Sequence, residues 1–291
     1  MRTPAPNQPD VPMAEDPPLP DSPARATDHR ITLPVKGGDA ERLFVRRWVP
    51  AEHVPHAHPI VLLHDSLGSV ALWRDFPALV CAATARPVIA YDRLGFGQSS
   101  PSHGLPSHDF VAEEAQQGFA AVCAAFAIER CVVLGHSVGG GMALHCAAQA
   151  PGRVEAVVTI SAQAFVEDRT REGIRAAKQL FADARQFERL SRYHGDRARW
   201  VLDAWTETWL APGFAGWSLA AVLPEVRCPV LVLHGELDEY GSSAQPARIE
   251  RETGGPVRVE LLTGLGHMPH REQPEAIARR VAAFLGAVAQ A

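Results

Sequence analysis

Gly135-His136-Ser137-Val138-Gly139 is the stretch of sequence that decides the fold. An apolar run with two valines at 131–134 precedes it, and a run with helical composition at 140–148 follows it. A strand, Gly-x-Ser-x-Gly and a helix together predict a sharp turn that holds a serine hydroxyl above a sheet. We expect glycine at 135 and 139 because strand and helix approach too closely there for a Cβ atom. A glycine-rich turn around a buried serine is the alternative, which the flanking elements and the downstream partners of Ser137 disfavour.

Length, composition and charge narrow the class of protein. The 291 residues suffice for one large α/β domain with an inserted subdomain. The hydrophobic fraction of 46% and the charged fraction of 21% are ordinary for a globular protein. The formal net charge of −5 is unlike that of nucleic-acid-binding domains, and no apolar run reaches the roughly 18 residues of a membrane span. We therefore expect neither nucleic acid nor a membrane among the partners.

The cysteines predict a reducing compartment. They are scattered, mostly within apolar stretches, which is typical of buried thiols and not of a disulfide framework or a metal site. We therefore expect a cytoplasmic protein without a bound metal ion. The five cysteines are Cys81, Cys123, Cys131, Cys146 and Cys228.

Residues 1–28 differ in composition from the rest of the chain. They hold eight of the 24 prolines and almost no large apolar residues. Such a segment cannot bury a core, so we expect a disordered and dispensable tail. It lacks the continuous apolar region of a secretory signal, and its acidic residues disfavour a transit peptide.

The remaining chain alternates strands with helices. Two runs of alternating polarity, 31–35 and 42–49, flank Lys36-Gly37-Gly38-Asp39 and predict a β-hairpin. Short apolar runs predict strands that are buried on both faces, and runs of helical period predict the helices between them. The strands are expected at 59–63, 87–91, 131–134, 156–160, 229–233 and 257–262, and the helices at 73–85, 109–127, 140–148 and 274–288. This alternation predicts a mostly parallel sheet with helices on both faces.

Residues 162–224 interrupt the alternation and predict a helical cap between two parts of the core, 29–161 and 225–291. The segment contains four of the six tryptophans, Trp200, Trp205, Trp209 and Trp217. We expect it to cover the carboxyl ends of the strands, where ligands bind in open α/β sheets. Trp205 and Trp209 are predicted to roof a pocket above Ser137 and to bind substrate. The alternative is that both tryptophans pack inside the cap.

A serine nucleophile needs a base and an acid that orients the base. In this kind of fold both follow later strands, with the acid before the histidine. The sequence His234-Gly235-Glu236-Leu237-Asp238 follows the strand at 229–233, and Gly264-Leu265-Gly266-His267 follows the strand at 257–262. We predict Asp238 as the acid and His267 as the base. The competitors are Glu236 and Asp168 for the acid and His270 for the base, although Pro269 is expected to turn His270 away.

An oxyanion that forms during acyl transfer needs two preorganised N–H donors. The amide of Val138 is the first candidate, because it follows the nucleophile at the N-terminus of a helix. The second should lie in the loop after the first buried strand, His64-Asp65-Ser66-Leu67-Gly68-Ser69. We predict the Ser66 amide; an ordinary turn rich in glycine and serine is the alternative.

The chain resembles enzymes of the α/β-hydrolase fold over about residues 40–288. The resemblance lies in the loop at 64–69, the loop Tyr91-Asp92-Arg93-Leu94-Gly95-Phe96-Gly97-Gln98-Ser99, the turn at Ser137, and the positions of Asp238 and His267. The cap segment at 161–168 and the Trp205 region are similar to biphenyl-hydrolase-like and valacyclovir-hydrolase-like serine esterases. The resemblance implies an eight-stranded sheet, a helical cap, and hydrolysis without a metal ion or another cofactor.

Two departures from the family pattern bear on the substrate. The usual His-Gly of the oxyanion loop is His64-Asp65 here, which places a carboxylate close to the site. The residue after the nucleophile is Val138, where an acid would suit an ammonium-bearing substrate. We assign Asp65 and His136 to substrate binding and expect Asp65 to disfavour anionic substrates by like-charge repulsion.

We therefore predict a serine hydrolase that cleaves a small, neutral, hydrophobic or aromatic carboxylic ester with water through an acyl-enzyme on Ser137. Cleavage of C–C bonds, lactones or thioesters is an alternative, because the fold does not choose among these reactions. A cofactor-free oxygenase or perhydrolase is a third possibility. A ligand receptor without catalysis belongs to a different class, which turnover would exclude.

Overall fold

The computed structural model describes residues 24–34, 40–51 and 57–290. Most of the predicted tail and the turn of the predicted hairpin at 36–39 lie outside the described residues. The predicted architecture of a mostly parallel eight-stranded sheet with helices on both faces is confirmed.

Eight strands form one sheet in the order β1-β2-β4-β3-β5-β6-β7-β8 within the described residues. Strand β2 is antiparallel to both of its neighbours, β1 and β4, whereas every pairing from β4 to β8 is parallel. The carboxyl ends of β3 to β8 therefore share one edge of the sheet. The strands are β1 Arg25–Leu33, β2 Glu41–Val49, β3 Ile60–Leu63, β4 Val88–Tyr91, β5 Cys131–His136, β6 Val154–Ile160, β7 Val230–Gly235 and β8 Val257–Leu262.

Helices cover both faces of this sheet. The helices of the described residues are α1 Phe76–Thr84, α2 Phe110–Gln116, α3 Gly118–Ala125, α4 Val138–Gln149, α5 Asp168–Leu180, α6 Ala184–His194, α7 Ala198–Leu210, α8 Ala244–Glu252, α9 Pro269–Glu272 and α10 Pro274–Val288. Short 3₁₀ turns occur at Val70–Trp73, Gly195–Arg197, Pro212–Phe214 and Leu223–Glu225.

Alternate residues of the central strands point into two separate cores. Ile60 and Leu62 of β3 pack with residues of α1 and α10 on one face. Val61 and Leu63 pack with residues of α2, α3, α4 and α8 on the other. All four strand residues have 0% exposure, because side chains alternate between the faces of a strand and both faces are covered.

Three boundaries differ from the sequence-based expectations. Strand β1 begins at Arg25, so residues 25–28, predicted to be disordered, belong to the sheet. They pair with β2, and Asp28 lies 2.5 Å from the guanidinium of Arg46. The composition of residues 25–28 did not indicate a strand, because an edge strand with one neighbour tolerates polar residues.

The other two differences concern helices. The helix expected at 109–127 is divided at Gln117, whose φ and ψ angles are −106° and −91°. At the next residue, Gly118, a Cβ atom would lie 2.0 Å from a carboxylate oxygen of the partly buried Glu114. The helix expected at 73–85 begins only at Phe76, after a 3₁₀ turn that ends where Arg74 takes φ 54°.

The segment predicted to be a cap contains α5, α6 and α7 and follows β6. Its two ends meet where Phe165 and Ser218 form an antiparallel bridge. The Leu219 amide donates to the Ala164 carbonyl at 2.7 Å beside this bridge. These bonds hold the first and last residues of the cap together next to the carboxyl ends of the strands.

Candidate active site

Ser137 occupies the sharp turn between β5 and α4. Its φ and ψ angles are 56° and −126°, a region that is costly for a residue with a side chain. A Cβ atom at Gly135 would lie 2.0 Å from the Gly139 carbonyl oxygen, and one at Gly139 would lie 2.1 Å from the Leu63 carbonyl oxygen. The expected close approach of strand and helix is therefore confirmed at both glycines.

His267 and Asp238 form a buried pair beside this turn. His267 Nδ1 lies 2.9 Å from both carboxylate oxygens of Asp238. The backbone amides of Tyr240 and Gly241 also donate to Asp238, at 2.8 and 3.0 Å. Burial alone would raise the pKa of Asp238, but the His267 hydrogen bond and charge, together with the Tyr240 amide, lower it. The carboxylate is thus held ionised next to the imidazole.

The same pair sets the protonation of His267. Burial of the ring favours the neutral form, but the hydrogen bond and the charge of Asp238 outweigh it and raise the pKa of His267. Because Nδ1 faces the carboxylate, Nδ1 carries the proton and Nε2 is left as the basic nitrogen.

Gln163 is a site residue that the sequence analysis did not single out. The Ser137 hydroxyl donates to Gln163 Oε1 at 3.2 Å, and no hydrogen bond joins Ser137 to His267 among the described residues. Such bonds are often long in an unliganded site and tighten on binding. The position of Gln163, just past the end of β6 at Ile160, was a signal that could have identified it.

The amides of Ser66 and Val138 are both free to donate. Neither has a hydrogen-bond acceptor in the described part of the chain, and both residues flank Ser137 in space or sequence. Arg93 holds the loop that carries Ser66 through two hydrogen bonds. Its side chain donates to the Asp65 carbonyl at 2.9 Å, and its amide donates to His64 Nε2 at 3.1 Å. The assignment of these two amides as donors to an oxyanion stays a prediction.

Asp65 lies at the edge of the site and is paired. Its carboxylate accepts from the Leu67 amide at 2.8 Å and lies 3.3 Å from His136 Nδ1. Burial alone would raise its pKa, but the hydrogen bond and charge of His136 and the nearby Arg271 hold the pKa well below the usual range. Asp65 is therefore an anion in the wall of the site.

His136 is not placed where a substrate could touch it, which corrects its assignment to substrate binding. The ring is 1% exposed and is held between Asp65 and the His267 carbonyl, 2.8 Å from Nε2. Both neighbours are acceptors, so only the imidazolium satisfies both; burial opposes that form and lowers the pKa of His136. His136 therefore links Asp65 to the backbone of His267, the predicted base, on the side away from the cavity.

A cavity of about 580 Å³ opens above Ser137 and is mostly apolar. Trp205 and Trp209 both line it, as do Gln163, Tyr240 and His267. Trp209 is 2% exposed and also packs on Phe214 and Trp217, with ring centroids 5.2 and 5.5 Å apart. Both tryptophans therefore line the cavity, and Trp209 also packs within the cap. Substrate binding by Trp205 and Trp209 stays a prediction.

The competing residues lie elsewhere. Glu236 accepts from the Gly264 amide at 3.2 Å on the exposed side of the turn. Asp168 is an exposed residue in the first turn of α5. His270 is buried against Trp73 and His136, with ring centroids 5.0 and 4.4 Å apart. None of the three replaces Asp238 or His267 in the pair described above.

The described residues contain neither a metal-binding cluster of histidine, cysteine or carboxylate side chains nor a membrane-spanning helix, and their cysteines are unpaired. No group of three or more histidine, cysteine, aspartate or glutamate side chains in residues 24–34, 40–51 and 57–290 is placed to hold a metal ion. No helix in those residues has the length and apolar character needed to cross a membrane. The five cysteines are free thiols, four of them buried and Cys228 partly exposed.

Comparisons with known proteins place the chain in a family. A non-heme chloroperoxidase of Streptomyces lividans is 27% identical over 284 residues, 86% of this chain and 98% of that protein. Human 1-acylglycerol-3-phosphate O-acyltransferase ABHD5 is 30% identical over 138 residues, 46% of this chain. That match spans only 37% of the human protein.

Among solved structures, 2-hydroxy-6-oxo-6-phenylhexa-2,4-dienoate hydrolase from Rhodococcus sp. strain RHA1 superposes with a TM-score of 0.71. The match covers 92% of this chain and 100% of that one at 19% identity, which shows a shared fold. The model of the Alpha/beta hydrolase family matches residues 60–280. The match includes the turn at Ser137, the cap and the His267–Asp238 pair, and the protein belongs to the α/β-hydrolase family.

Proposed function

We propose that the protein is a serine hydrolase that cleaves a carboxylic ester through an acyl-enzyme on Ser137. One observation carries the proposal: the strained Ser137 turn and the His267–Asp238 pair meet at one apolar cavity. A nucleophile, an oriented base and free amide donors are the parts that acyl transfer requires.

The reaction begins with proton transfer from the Ser137 hydroxyl to His267 Nε2 as Oγ attacks the acyl carbon. Asp238 holds the Nδ1 proton in place and stabilises the imidazolium that forms. The Ser66 and Val138 amides donate to the carbonyl oxygen as it becomes an oxyanion. His267 then gives its proton to the departing alcohol, and water, activated by the same histidine, releases the acid and restores Ser137.

The cavity favours an apolar group next to the scissile ester. Its lining includes Ile174, Phe181, Trp205, Trp209 and Met268. Burying a methylene group in such a lining contributes about 0.8 kcal/mol, so affinity should grow with acyl chain length until the cavity is full. We propose a neutral hydrophobic or aromatic group at this position.

Perhydrolysis is the second candidate, and the similarity to a chloroperoxidase over 86% of the chain favours it. In this reaction hydrogen peroxide takes the place of water. Its oxygen attacks the acyl carbon, Ser137 Oγ leaves and recovers its proton through His267, and the product is a peracid. Assaying the same ester with and without hydrogen peroxide separates the two acceptors.

The test uses wild type, Ser137→Ala and the control Ser161→Ala, a buried serine at the end of β6. We expect p-nitrophenyl esters of increasing acyl length to be cleaved, and a fluorophosphonate to label Ser137. Ser137→Ala should lose roughly 10⁴-fold or more in kcat, whereas Ser161→Ala should retain activity. Labelling at another residue, or equal activity in both variants, rejects the assignment.

Two further outcomes separate the other reactions. Faster cleavage of a ring-cleavage dienone than of any ester would indicate a C–C bond hydrolase, and lactone and thioester substrates test the remaining alternatives. Tight ligand binding with no turnover on any substrate would indicate the receptor.

A further inference from the structure

A second cavity, of about 410 Å³, adjoins the one above Ser137. The two cavities share part of their walls: Asp65, Leu67, Phe181 and Met268 line both. A substrate bound at Ser137 could therefore extend from the first cavity into the second and stay in contact with the protein along its length.

Four arginines distinguish the second cavity from the first. Arg74 follows the 3₁₀ turn at Val70–Trp73, Arg189 and Arg192 lie on α6, and Arg271 lies on α9. Asp65 is the one carboxylate in the same wall, and it is already bonded to His136 and the Leu67 amide. The cavity therefore has an excess of positive charge, whereas the wall of the first cavity has no arginine.

These guanidinium groups are weakly satisfied within the protein. Arg192 lies 3.4 Å from Glu188 and Arg189 lies 3.4 Å from Gln186, both on the exposed side of α6. In the described residues, the guanidinium groups of Arg74 and Arg271 donate no hydrogen bond, although both backbone amides do. The Nε atom of the partly buried Arg271 has no partner there. A buried donor without an acceptor is costly, and a guanidinium fork matches the oxygens of a phosphate or carboxylate.

Arg74 and Arg271 also lie close enough to repel each other. Burial lowers the pKa of Arg271, Asp65 acts against this, and the charge of Arg74 lowers it further. An anion between the two guanidinium groups would remove this repulsion and supply the missing acceptors.

We propose that the arginine-lined cavity binds an oxyanionic group, a phosphate or carboxylate, carried by the substrate whose ester lies at Ser137. This inference rests on the proposed function, and it refines the substrate: an apolar part next to the ester and an anionic group beyond it. The sequence-based expectation that Asp65 disfavours anionic substrates took account of this one carboxylate and of no neighbouring charge. Its charge is offset here by four arginines on the side where the anion would bind.

The test compares two matched esters, p-nitrophenyl hydrogen adipate and p-nitrophenyl methyl adipate, together with longer and shorter diacids. We expect Arg74→Gln/Arg271→Gln to lower the ratio of kcat/KM for the anionic to the neutral ester by about tenfold or more, mainly through KM. Arg175→Gln/Arg185→Gln changes two exposed arginines on α5 and α6 outside both cavities. It removes the same two charges and should keep the wild-type ratio. Added salt should lower the ratio in wild type.

Folding is controlled separately because Arg271 is partly buried. Arg74→Gln/Arg192→Gln changes two exposed arginines and should lower the ratio without a change in melting temperature. If neither double variant changes the ratio, the cavity does not bind the substrate's anion and the inference is wrong.

A binding measurement distinguishes failure of the inference from failure of the proposed function. Calorimetric titration with inorganic phosphate needs no turnover, and we expect binding to wild type and loss of it in both double variants. Phosphate binding without cleavage of any ester would refute the hydrolase and keep the anion site. Cleavage of both esters with an unchanged ratio and no phosphate binding would refute the anion site and keep the hydrolase. Phosphate binding with an unchanged ratio would mean that the cavity binds a separate anionic ligand. This would refute the proposal that the substrate carries the anionic group.

Discussion

The Ser137 hydroxyl donates a hydrogen bond to Gln163 Oε1 at 3.2 Å. In the proposed reaction this hydroxyl must turn to His267 before it attacks, so Gln163 holds the resting nucleophile. Gln163 is 4% exposed and lines the cavity with Ser137. An uncharged acceptor suits this position because negative charge develops nearby in the transition state.

We expect Gln163→Glu to lower kcat by more than about tenfold, because a carboxylate would oppose the developing oxyanion in a poorly solvated site. Gln163→Ala removes the resting hydrogen bond without adding charge and should cost less. Measuring kcat for both variants on one ester tests this. An equal loss in both would show that the amide itself, and not its neutrality, matters.

Asp238→Asn should be far more damaging than Glu236→Gln. Loss of the Asp238 carboxylate leaves His267 in the wrong tautomer, which in a comparable enzyme costs about 10⁴-fold in kcat. Glu236 bonds the Gly264 amide at an exposed turn, so its change should have little effect. Measuring kcat for the two variants tests this prediction. A larger loss of kcat in Glu236→Gln would assign the role of the acid to Glu236.

The pH profile of kcat/KM should report His267. The base must be neutral to accept the Ser137 proton, and Asp238 raises the pKa of His267 above its usual value of 6.5. Activity should therefore fall with decreasing pH, with a midpoint above 6.5. In Asp238→Asn the residual activity should have its midpoint at lower pH, because the carboxylate that raises the pKa is gone. A midpoint that does not move would assign the titration to another group.

Gly139→Ala should destabilise the fold by about 1–3 kcal/mol or more. The added Cβ atom would lie 2.1 Å from the Leu63 carbonyl oxygen, and the backbone on both sides is buried. Gly286→Ala is the matched control, because its Cβ atom would meet nothing within 4 Å in the helix α10. It should stabilise by roughly 0.5–1 kcal/mol. Denaturant unfolding of the two variants measures both effects.

Removal of residues 1–23 and removal of residues 1–28 should differ. The first deletion ends before β1 and, from its proline-rich composition, should leave the melting temperature unchanged. The second removes the start of β1 and the ion pair between Asp28 and Arg46 at 2.5 Å. We expect it to lower the melting temperature by a few degrees. Equal melting temperatures would show that the first residues of β1 contribute nothing to stability.

The sequence by itself determined the sheet, the turn at Ser137 and the pairing of His267 with Asp238. These follow from local patterns: apolar runs mark buried strands, Gly135 and Gly139 permit the close approach, and the carboxyl ends of parallel strands meet at one edge. Only the tertiary structure decided how side chains from distant segments combine. Gln163 faces Ser137, and His136 lies behind the cavity between Asp65 and the His267 carbonyl. Arg74 and Arg271, far apart in sequence, line one cavity with two arginines of the cap. No local pattern encodes such contacts, because they depend on how the cap and the loops pack over the sheet.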